Sequence, residues 1–244
     1  MIHDGTQALV VDPGEAAPVL RVLQEHRLKL TAILVTHRHA DHVGGLHDLQ
    51  PFLTGPVYGP ASLVPNGVNH VVRDGDSISF LDLVFQVFET PGHTQEHLSY
   101  FCDSTATENN LTPILFCGDT LFSAGCGRFF DGHPEWMLNT LNRLAQLPDQ
   151  TKICCAHEYT LSNLAFAKAV EPGNSARADY ESLCHEQRSR HEPTLPATLS
   201  IERRVNPFLR LKEPEIIASV KQQGFPVTAP LSVLTALRAW KNTF

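Results

Sequence analysis

The amino-acid sequence predicts an α/β domain over residues 1–159, followed by a mainly helical domain over residues 160–244. In the first part, short β-branched apolar runs alternate with a helix-compatible segment, a pattern typical of strands joined by helices. Apolar and polar residues then alternate along 77–89, as they do in antiparallel strands. Beyond about residue 163, helix-compatible segments dominate and prolines separate them.

Composition argues against several classes of protein. The 244 residues can bury a full core, and the net charge of -7 argues against a general nucleic-acid-binding surface. The six cysteines form no CxxC pair. The N-terminus has neither the basic region nor the apolar region of a secretory signal. No apolar run approaches the roughly 20 residues that cross a bilayer. We therefore expect a cytoplasmic monomer with free thiols that binds neither membrane nor nucleic acid.

The elements of the first domain follow from local patterns in chain order. A strand at 8–11, a helix at 15–26 and a strand at 33–35 predict a β-α-β unit. A turn at 73–76 precedes the alternating stretch, and the polar stretch 105–112 predicts a surface loop. The remaining predicted strands are 57–59, 71–72, 98–102, 113–118 and 152–155, with an amphipathic helix at 134–147. The predicted helices of the second domain are 161–170, 175–191, 213–223 and 230–242.

The clearest chemical motif directly follows the predicted strand 33–35. His37, His39, Asp41 and His42 fall within six residues, and we expect them in the loop at the strand end. Imidazole nitrogens and a carboxylate oxygen suit zinc, iron or manganese. A solvated polar loop is the alternative, but further acids and histidines recur in matching positions downstream.

Three later strand ends carry another histidine or aspartate each: His93, Asp119 and His157. Each residue alone would be weak evidence, and their repetition favours ligation. Seven ligands exceed the four that one tetrahedral ion needs, whereas two ions bridged by one carboxylate account for the count. Such a centre, with a hydroxide, keeps a small positive charge and suits hydrolysis of an ester-like bond.

The motif His37-x-His39-x-Asp41-His42, with the three later ligands, resembles the metallo-β-lactamase superfamily. The stretches 117–129, 156–160, 204–208 and 238–241 make the chain similar to glyoxalase II, the hydroxyacylglutathione hydrolases. The resemblance implies an αββα sandwich followed by a small, mainly helical substrate-binding domain. The chain begins about where the second strand of that family would, so we expect the first strand to be missing.

The resemblance also implies the residue roles and the reaction. It places His37, His39 and His93 on one metal, Asp41, His42 and His157 on the second, and Asp119 between them, with Asp41 and Asp119 as catalytic residues. It assigns Arg128, Tyr159, Arg238 and Lys241 to glutathione. The implied reaction is hydrolysis of S-D-lactoylglutathione to D-lactate and glutathione by a hydroxide on two metals, zinc or else iron or manganese. In that family, the reaction is the second step of methylglyoxal detoxification.

Some positions depart from the family, and some alternatives stay open. Phe130 stands where many relatives have a tyrosine, which predicts one hydrogen bond fewer to glutathione. Arg38 and Ala40 are predicted to be spacers within the motif. Arg238 and Lys241 could face solvent, and Tyr159 could pack between elements. The rival functions are a one-iron persulfide dioxygenase, a metallo-β-lactamase and a non-enzymatic binding module. Metal identity and acyl specificity are left open.

Overall fold

The structure is a computed structural model that describes residues 1–103 and 112–244. Its contacts divide the chain into two compact units. The first unit consists of Met1–Thr90 and Glu96–Leu111, and the second consists of Pro91–Gln95 and Thr112–Phe244. The predicted loop at 105–112 lies outside the described residues, except for Thr112. The predicted domain division after residue 159 stays a prediction.

The first unit contains a five-stranded sheet with the strands in chain order. Its strands are β1 (Ile2–His3), β2 (Gln7–Val11), β3 (Lys29–Leu34), β4 (Val57–Gly59) and β5 (His70–Val71). Only β1 runs antiparallel to its neighbour, and the other pairs are parallel. Parallel strands need crossover connections, and helix α1 (Ala16–His26) supplies the one between β2 and β3. The predicted β-α-β start is therefore confirmed.

The apolar side of this sheet is covered by helices. Leu23 of α1 packs in one cluster with Leu30 and Ile33 of β3 and with Leu46 and Leu49. The last two lie on helix α3 (Leu46–Leu49), which follows α2 (Ala40–Val43). Two 3₁₀ helices, Gln50–Phe52 and Ala61–Asn66, connect to the later strands. This core holds the carboxyl end of β3 in place, and the metal-binding motif begins there.

The first unit also contains three neighbouring antiparallel strands. They are β6 (Ser77–Phe80), β7 (Leu83–Glu89) and β8 (Leu98–Cys102). In β6 and in the middle of β7, buried and exposed residues alternate, as the sequence pattern predicts. The hairpin turns at Leu81 and Asp82, where Leu81 has a positive φ of 52°. The predicted hairpin is thus confirmed.

In the second unit, β9 (Ile114–Gly118) pairs in parallel with β12 (Lys152–Cys155), and β13 (Ala197–Thr198) pairs antiparallel with β12. A small hairpin joins β10 (Leu121–Phe122) to β11 (Gly125–Cys126). The helices are α4 (Pro134–Leu144), α5 (Thr160–Val170), α6 (Ser175–Ser189), α7 (Leu199–Val205), α8 (Pro214–Gln222) and α9 (Pro230–Thr243), with a 3₁₀ turn at Pro207–Leu209.

The four helices predicted after residue 160 are all present, with ends that differ by one or two residues. Several short elements were not among the predicted ones; in the second unit these include α7, β13 and the β10–β11 hairpin. Two-residue strands and a seven-residue helix contain too few periods to produce a recognisable apolar pattern. Within residues 1–103 and 112–244, no helix combines the length and the apolar character needed to cross a membrane.

Candidate metal centre

The predicted ligands of the first unit lie at the carboxyl end of β3. His37 and His39 are in the extended segment after the strand, but Asp41 and His42 lie on the short helix α2. The expectation of a loop for all four was therefore wrong for these two. The helix forms because the backbone N–H groups of His42 and Val43 both donate to the carbonyl of His39. A single turn of this kind is too short to be seen as periodicity.

A carboxylate outside the motif orients two of these histidines. The Asp12 Oδ2 atom lies 2.9 Å from Nδ1 of His42 and accepts a 2.7 Å bond from the Thr36 hydroxyl. The same hydroxyl lies 3.0 Å from Nδ1 of His37. Because a carboxylate only accepts, Nδ1 of His42 carries its proton, and the chain through Thr36 gives His37 the same tautomer. In both rings Nε2 keeps its lone pair, as metal ligation requires.

In the first unit, the spacing within each of two donor pairs suits ligation of one ion: His37 with His39, and His42 with Asp41. Nδ1 of His39 lies 3.0 Å from Nε2 of His37, and the Asp41 carboxylate lies 3.7 Å from Nε2 of His42. Ligands at about 2.0–2.1 Å from a tetrahedral ion are roughly 3.3 Å apart. His37 and His42 are buried, whereas 59% of the Asp41 side chain is exposed. These residues therefore combine a rigid inner pair with a more accessible outer ligand.

The predicted ligands of the second unit are arranged around Asp119. This residue follows β9, and its carboxylate presents one oxygen to each of two histidines. Oδ2 lies 3.5 Å from Nε2 of His93, and Oδ1 lies 3.5 Å from Nε2 of His157. Each oxygen of this carboxylate therefore faces a different imidazole. This spacing also suits ligands of a divalent ion, so the donor set of each unit fits such a metal.

The backbone after β11 holds His93 in the orientation for ligation. The Arg128 carbonyl accepts a 2.8 Å bond from Nδ1 of His93, which leaves Nε2 with the lone pair. Gly127 permits this approach, because a Cβ atom there would lie 2.0 Å from the Asp119 carbonyl oxygen and 3.0 Å from Nδ1 of His93. The close approach at Gly127 thus involves two of the predicted ligands at once.

The four residues predicted to bind glutathione lie in different environments. Arg128 is exposed, and Tyr159 is 49% exposed, with its ring stacked on that of His157 at 5.1 Å. Arg238 is only 4% exposed and donates to the Cys126 carbonyl at 2.8 Å. Lys241, half-buried, lies with Nζ 4.9 Å from the centre of the Phe166 ring.

Burial and charge act together on the two cations of α9. Burial lowers the pKa of Arg238, and Arg128 adds a smaller effect in the same direction. Burial, and then repulsion from Arg238 and Arg128, lowers the pKa of Lys241 to about 8. Three cations that repel one another in this way attract an anion, and a bound carboxylate would relieve the repulsion.

Sequence reasoning missed several residues that support the ligands. Asp12 was not among the predicted site residues, although its position after β2 is another strand end. His97 is buried, and its ring is stacked on that of His37, with 4.9 Å between centroids. The predicted spacer Arg38 makes an ion pair with Glu96. None of these contacts joins neighbours in sequence, so no local pattern could reveal them.

Phe130 also has a defined place in the second unit. Its side chain is 64% exposed. Its ring makes a T-shaped contact with the His93 imidazole, with 5.2 Å between the ring centroids and the two planes nearly perpendicular. A phenyl ring offers no hydrogen bond, and the expected loss of one hydrogen bond to glutathione at this position stays a prediction.

Comparisons with known proteins cover the whole chain. The metallo-beta-lactamase superfamily model matches residues 1–157, and the model of the hydroxyacylglutathione hydrolase C-terminus matches residues 158–244. A hydroxyacylglutathione hydrolase of Albidiferax ferrireducens is 48% identical over 245 residues, which are 100% of this chain and 94% of that relative. The hydroxyacylglutathione hydrolase of Vibrio cholerae is 48% identical over 236 residues, 96% of this chain and 90% of that relative.

Solved structures of lower identity share the fold. ETHE1 from Myxococcus xanthus is 26% identical with a TM-score of 0.60, covering 100% of this chain and 92% of that one. TTHA1623, solved in a di-iron-bound form, is 26% identical with a TM-score of 0.56, covering 82% of this chain and 88% of that one. The family models adjoin without a gap, and the relatives are nearly half identical along almost their full lengths. The chain therefore belongs to the hydroxyacylglutathione hydrolase family of the metallo-β-lactamase superfamily.

Proposed function

We propose that this protein hydrolyses S-(2-hydroxyacyl)glutathione thioesters, chiefly S-D-lactoylglutathione, to glutathione and the free acid. The observation that carries this proposal is the 48% identity, over the full chain, to a protein named hydroxyacylglutathione hydrolase. That alignment covers 100% of this chain and so includes residues 158–244, where the C-terminal model of the same family matches. The hydrolase reading is therefore favoured over the persulfide dioxygenase and the binding module.

We further propose two divalent ions per chain, with zinc as the first candidate and iron or manganese as alternatives. The seven ligands would be His37, His39, Asp41, His42, His93, Asp119 and His157. Their oriented imidazoles support this proposal, as does the similarity to TTHA1623, which was solved in a di-iron-bound form. When bound, such ions would lower the pKa of a water molecule and polarise the thioester carbonyl.

The chain's own residues would contribute orientation and charge. Asp12 fixes the tautomer of His42 and, through Thr36, that of His37, so that both present Nε2. The Arg128 carbonyl does the same for His93. These bonds are made before the substrate arrives, so little reorganisation remains for the reaction itself. Asp119 would be the bridging ligand of this proposal, and its two oxygens lie 3.5 Å from Nε2 of His93 and of His157.

The carboxylates of glutathione would be bound by the cations of the second unit. Arg128 and Lys241 are accessible enough to donate to a carboxylate, and Tyr159 exposes half of its side chain beside His157. Arg238 is buried and would act mainly through its charge and through its bond to the Cys126 carbonyl. Charge-assisted hydrogen bonds of this kind are worth about 1.5–3 kcal/mol each.

The decisive test combines metal analysis with turnover of S-D-lactoylglutathione by the purified protein. We expect about two metal ions per chain, which the seven ligands require, and release of free glutathione. A parallel assay would follow oxygen uptake on glutathione persulfide. One iron per chain with oxygen uptake would instead establish the dioxygenase, and bound metal without turnover of any thioester would establish a binding module.

A further inference from the structure

The β10–β11 hairpin connects the two functional groups of the second unit. Asp119 lies two residues before the hairpin, and Arg128 lies two residues after it. At its open end, the Gly127 N–H donates to the Thr120 carbonyl at 3.1 Å. The position of the bridging ligand, and of the carbonyl that orients His93, therefore depends on the shape of this hairpin.

The turn of the hairpin is buried and has an unusual backbone conformation. Ser123 and Ala124 form the turn and are 1% and 0% exposed. Ala124 has a φ of 56°, in the left-handed region that residues with a Cβ atom rarely adopt. Such a conformation persists only where surrounding contacts hold it. The source of those contacts is the C-terminal region of the chain.

Glu202 of α7 provides the main contacts. Its Oε1 atom accepts a 2.8 Å bond from the Ser123 hydroxyl, and its Oε2 atom accepts a 2.8 Å bond from the Ala124 N–H. The side chain is fully buried, and its hydrogen-bond donors among the described residues are all neutral: the Ser123 hydroxyl, the Ala124 N–H and the Asn206 amide. Burial raises the pKa of this carboxyl to about 7, against the smaller opposing effects of the hydrogen bonds. Tyr180, Cys155 and Cys184 are the titratable groups around it.

Asn206 completes the arrangement one helical turn further on. Its Nδ2 atom lies 3.0 Å from Glu202 Oε2. The same atom lies 3.2 Å from the Phe122 carbonyl oxygen and 3.0 Å from the Gly125 carbonyl oxygen. Those carbonyls flank the turn, so one amide group spans it from strand to strand. Asn206 belongs to the stretch 204–208, which the sequence comparison singled out and which has no role in the sites described above.

We propose that Glu202 and Asn206 are positioning residues that hold the β10–β11 turn and thereby set Asp119 and Arg128 at its two ends. This inference rests on the proposed function for its kinetic readout, but its structural part is independent. A buried carboxylate is a costly way to fill space, because it must be stripped of water. It supplies two directional acceptors that an apolar side chain of the same size lacks. Helix α7 would in this way position Asp119 and Arg128 without any contact between Glu202 and the substrate.

Three variants test the proposal, with one matched control. Glu202→Leu removes both acceptors, and Asn206→Ala removes the amide between the strands. Glu202→Gln keeps the shape, since its amide oxygen can accept from Ala124 and its N–H can donate to the Ser123 hydroxyl. The control is Glu171→Leu, which removes another buried carboxylate of the same unit. Glu171 pairs with Arg210 at 2.7 Å and, within the part of the chain that the structure describes, makes no hydrogen bond to the hairpin.

For each variant we would measure kcat and KM for S-D-lactoylglutathione, the melting temperature, and metal retention against a competing chelator. Glu202→Leu should lower kcat/KM at least about tenfold and release metal at about tenfold lower chelator concentration. Asn206→Ala should produce a loss of about three- to tenfold in both measurements. Glu202→Gln should stay within about threefold of the wild type, and so should the control in spite of a lower melting temperature.

The proposal fails if Glu202→Leu folds and keeps wild-type kinetics and metal retention. It also fails if Glu171→Leu loses as much as Glu202→Leu, because the effect would then be general destabilisation. Should Glu202→Leu not fold, Asn206→Ala decides, and unchanged kinetics and metal retention would overturn the proposal. A wild-type protein that hydrolyses no thioester would refute the proposed function alone, since metal retention would still test the role of the hairpin.

Discussion

Lys241 gives the most direct test of the proposed glutathione site, because its lowered pKa predicts a particular pH profile. The protonated ammonium group binds a carboxylate, and the neutral amine does not. With a pKa of about 8 in the free protein, most Lys241 side chains are charged at pH 7 and few at pH 9.5. The KM should therefore be low below pH 8 and rise above it. Deprotonation of Lys241 alone allows KM to rise by at most roughly thirtyfold between pH 7 and pH 9.5. Complete loss of one charge-assisted hydrogen bond would raise KM by roughly ten- to 150-fold.

The assay is the initial rate of S-D-lactoylglutathione hydrolysis as a function of substrate concentration and pH. Lys241→Met removes the charge and keeps most of the length, whereas Lys241→Arg keeps the charge throughout this pH range. We expect the wild-type KM to approach that of Lys241→Met at the alkaline end. Lys241→Arg should show no such rise. Comparison with the variants removes the titration of the substrate itself, which is common to all three proteins.

Two results would refute this reasoning. A wild-type KM that parallels that of Lys241→Arg up to pH 9.5 would mean that the lysine does not lose its proton there. A Lys241→Met variant with wild-type KM at pH 7 would mean that the ammonium group does not contact the substrate. A change confined to kcat would point away from substrate binding and towards the metal ligands.

Three further predictions concern carboxylates. Asp119→Ala should lower the metal content and reduce kcat at least about a hundredfold, because it removes the group between His93 and His157, as metal analysis and kinetics would reveal. Asp12→Ala should weaken metal binding about ten- to a hundredfold in chelator competition, since His42 loses its orienting partner. Glu202→Gln should abolish the part of the pH dependence of folding stability that comes from this carboxyl. Because its pKa is raised in the folded protein, the protonated form stabilises the fold and that stabilisation is lost as the pH rises. Between pH 4.5 and pH 7 the wild type should therefore lose about 3 kcal/mol of unfolding free energy relative to this variant, measured by denaturant unfolding.

Exposed carboxylates serve as controls for these three predictions. Asp82, in the turn between β6 and β7, makes no contact with any ligand described above, and Asp82→Ala should leave all the measurements unchanged. Retention of both metals and full rate by Asp119→Ala would contradict a bridged pair. Unaltered metal affinity in Asp12→Ala would mean that the histidines need no support. A wild type whose stability follows that of Glu202→Gln at every pH would show that the carboxyl does not titrate in this range.

Most of the elements were predictable because they depend on local chemistry, and the proposed metal ligands come from the same local patterns. A run of β-branched residues followed by His37, His39, Asp41 and His42 is recognisable as a strand that ends in a metal motif. The helices of the C-terminal region have the apolar spacing and the proline boundaries that define helices in any context. Their bounds agree with the structure to within a residue or two.

Supporting contacts were not predictable, because they join residues that are far apart in sequence. Asp12 meets His42 across 30 positions, and Glu202 meets Ala124 across 78. Composition and periodicity contain no information about such pairs. The short helix that includes Asp41 and the strand β13 are equally invisible, since a single turn or a two-residue pairing is stabilised by its surroundings rather than by its own propensity.

By itself, the sequence determined the proposed set of metal donors and, through the family resemblance, the chemistry to expect from them. Only the tertiary structure decided which nitrogen of each buried histidine is presented, because that choice depends on Asp12, Thr36 and the Arg128 carbonyl. It likewise decided that Arg238 is buried against the backbone. Burial and hydrogen bonding depend on what surrounds a side chain in space, and the order of residues along the chain does not specify those surroundings until the chain has folded.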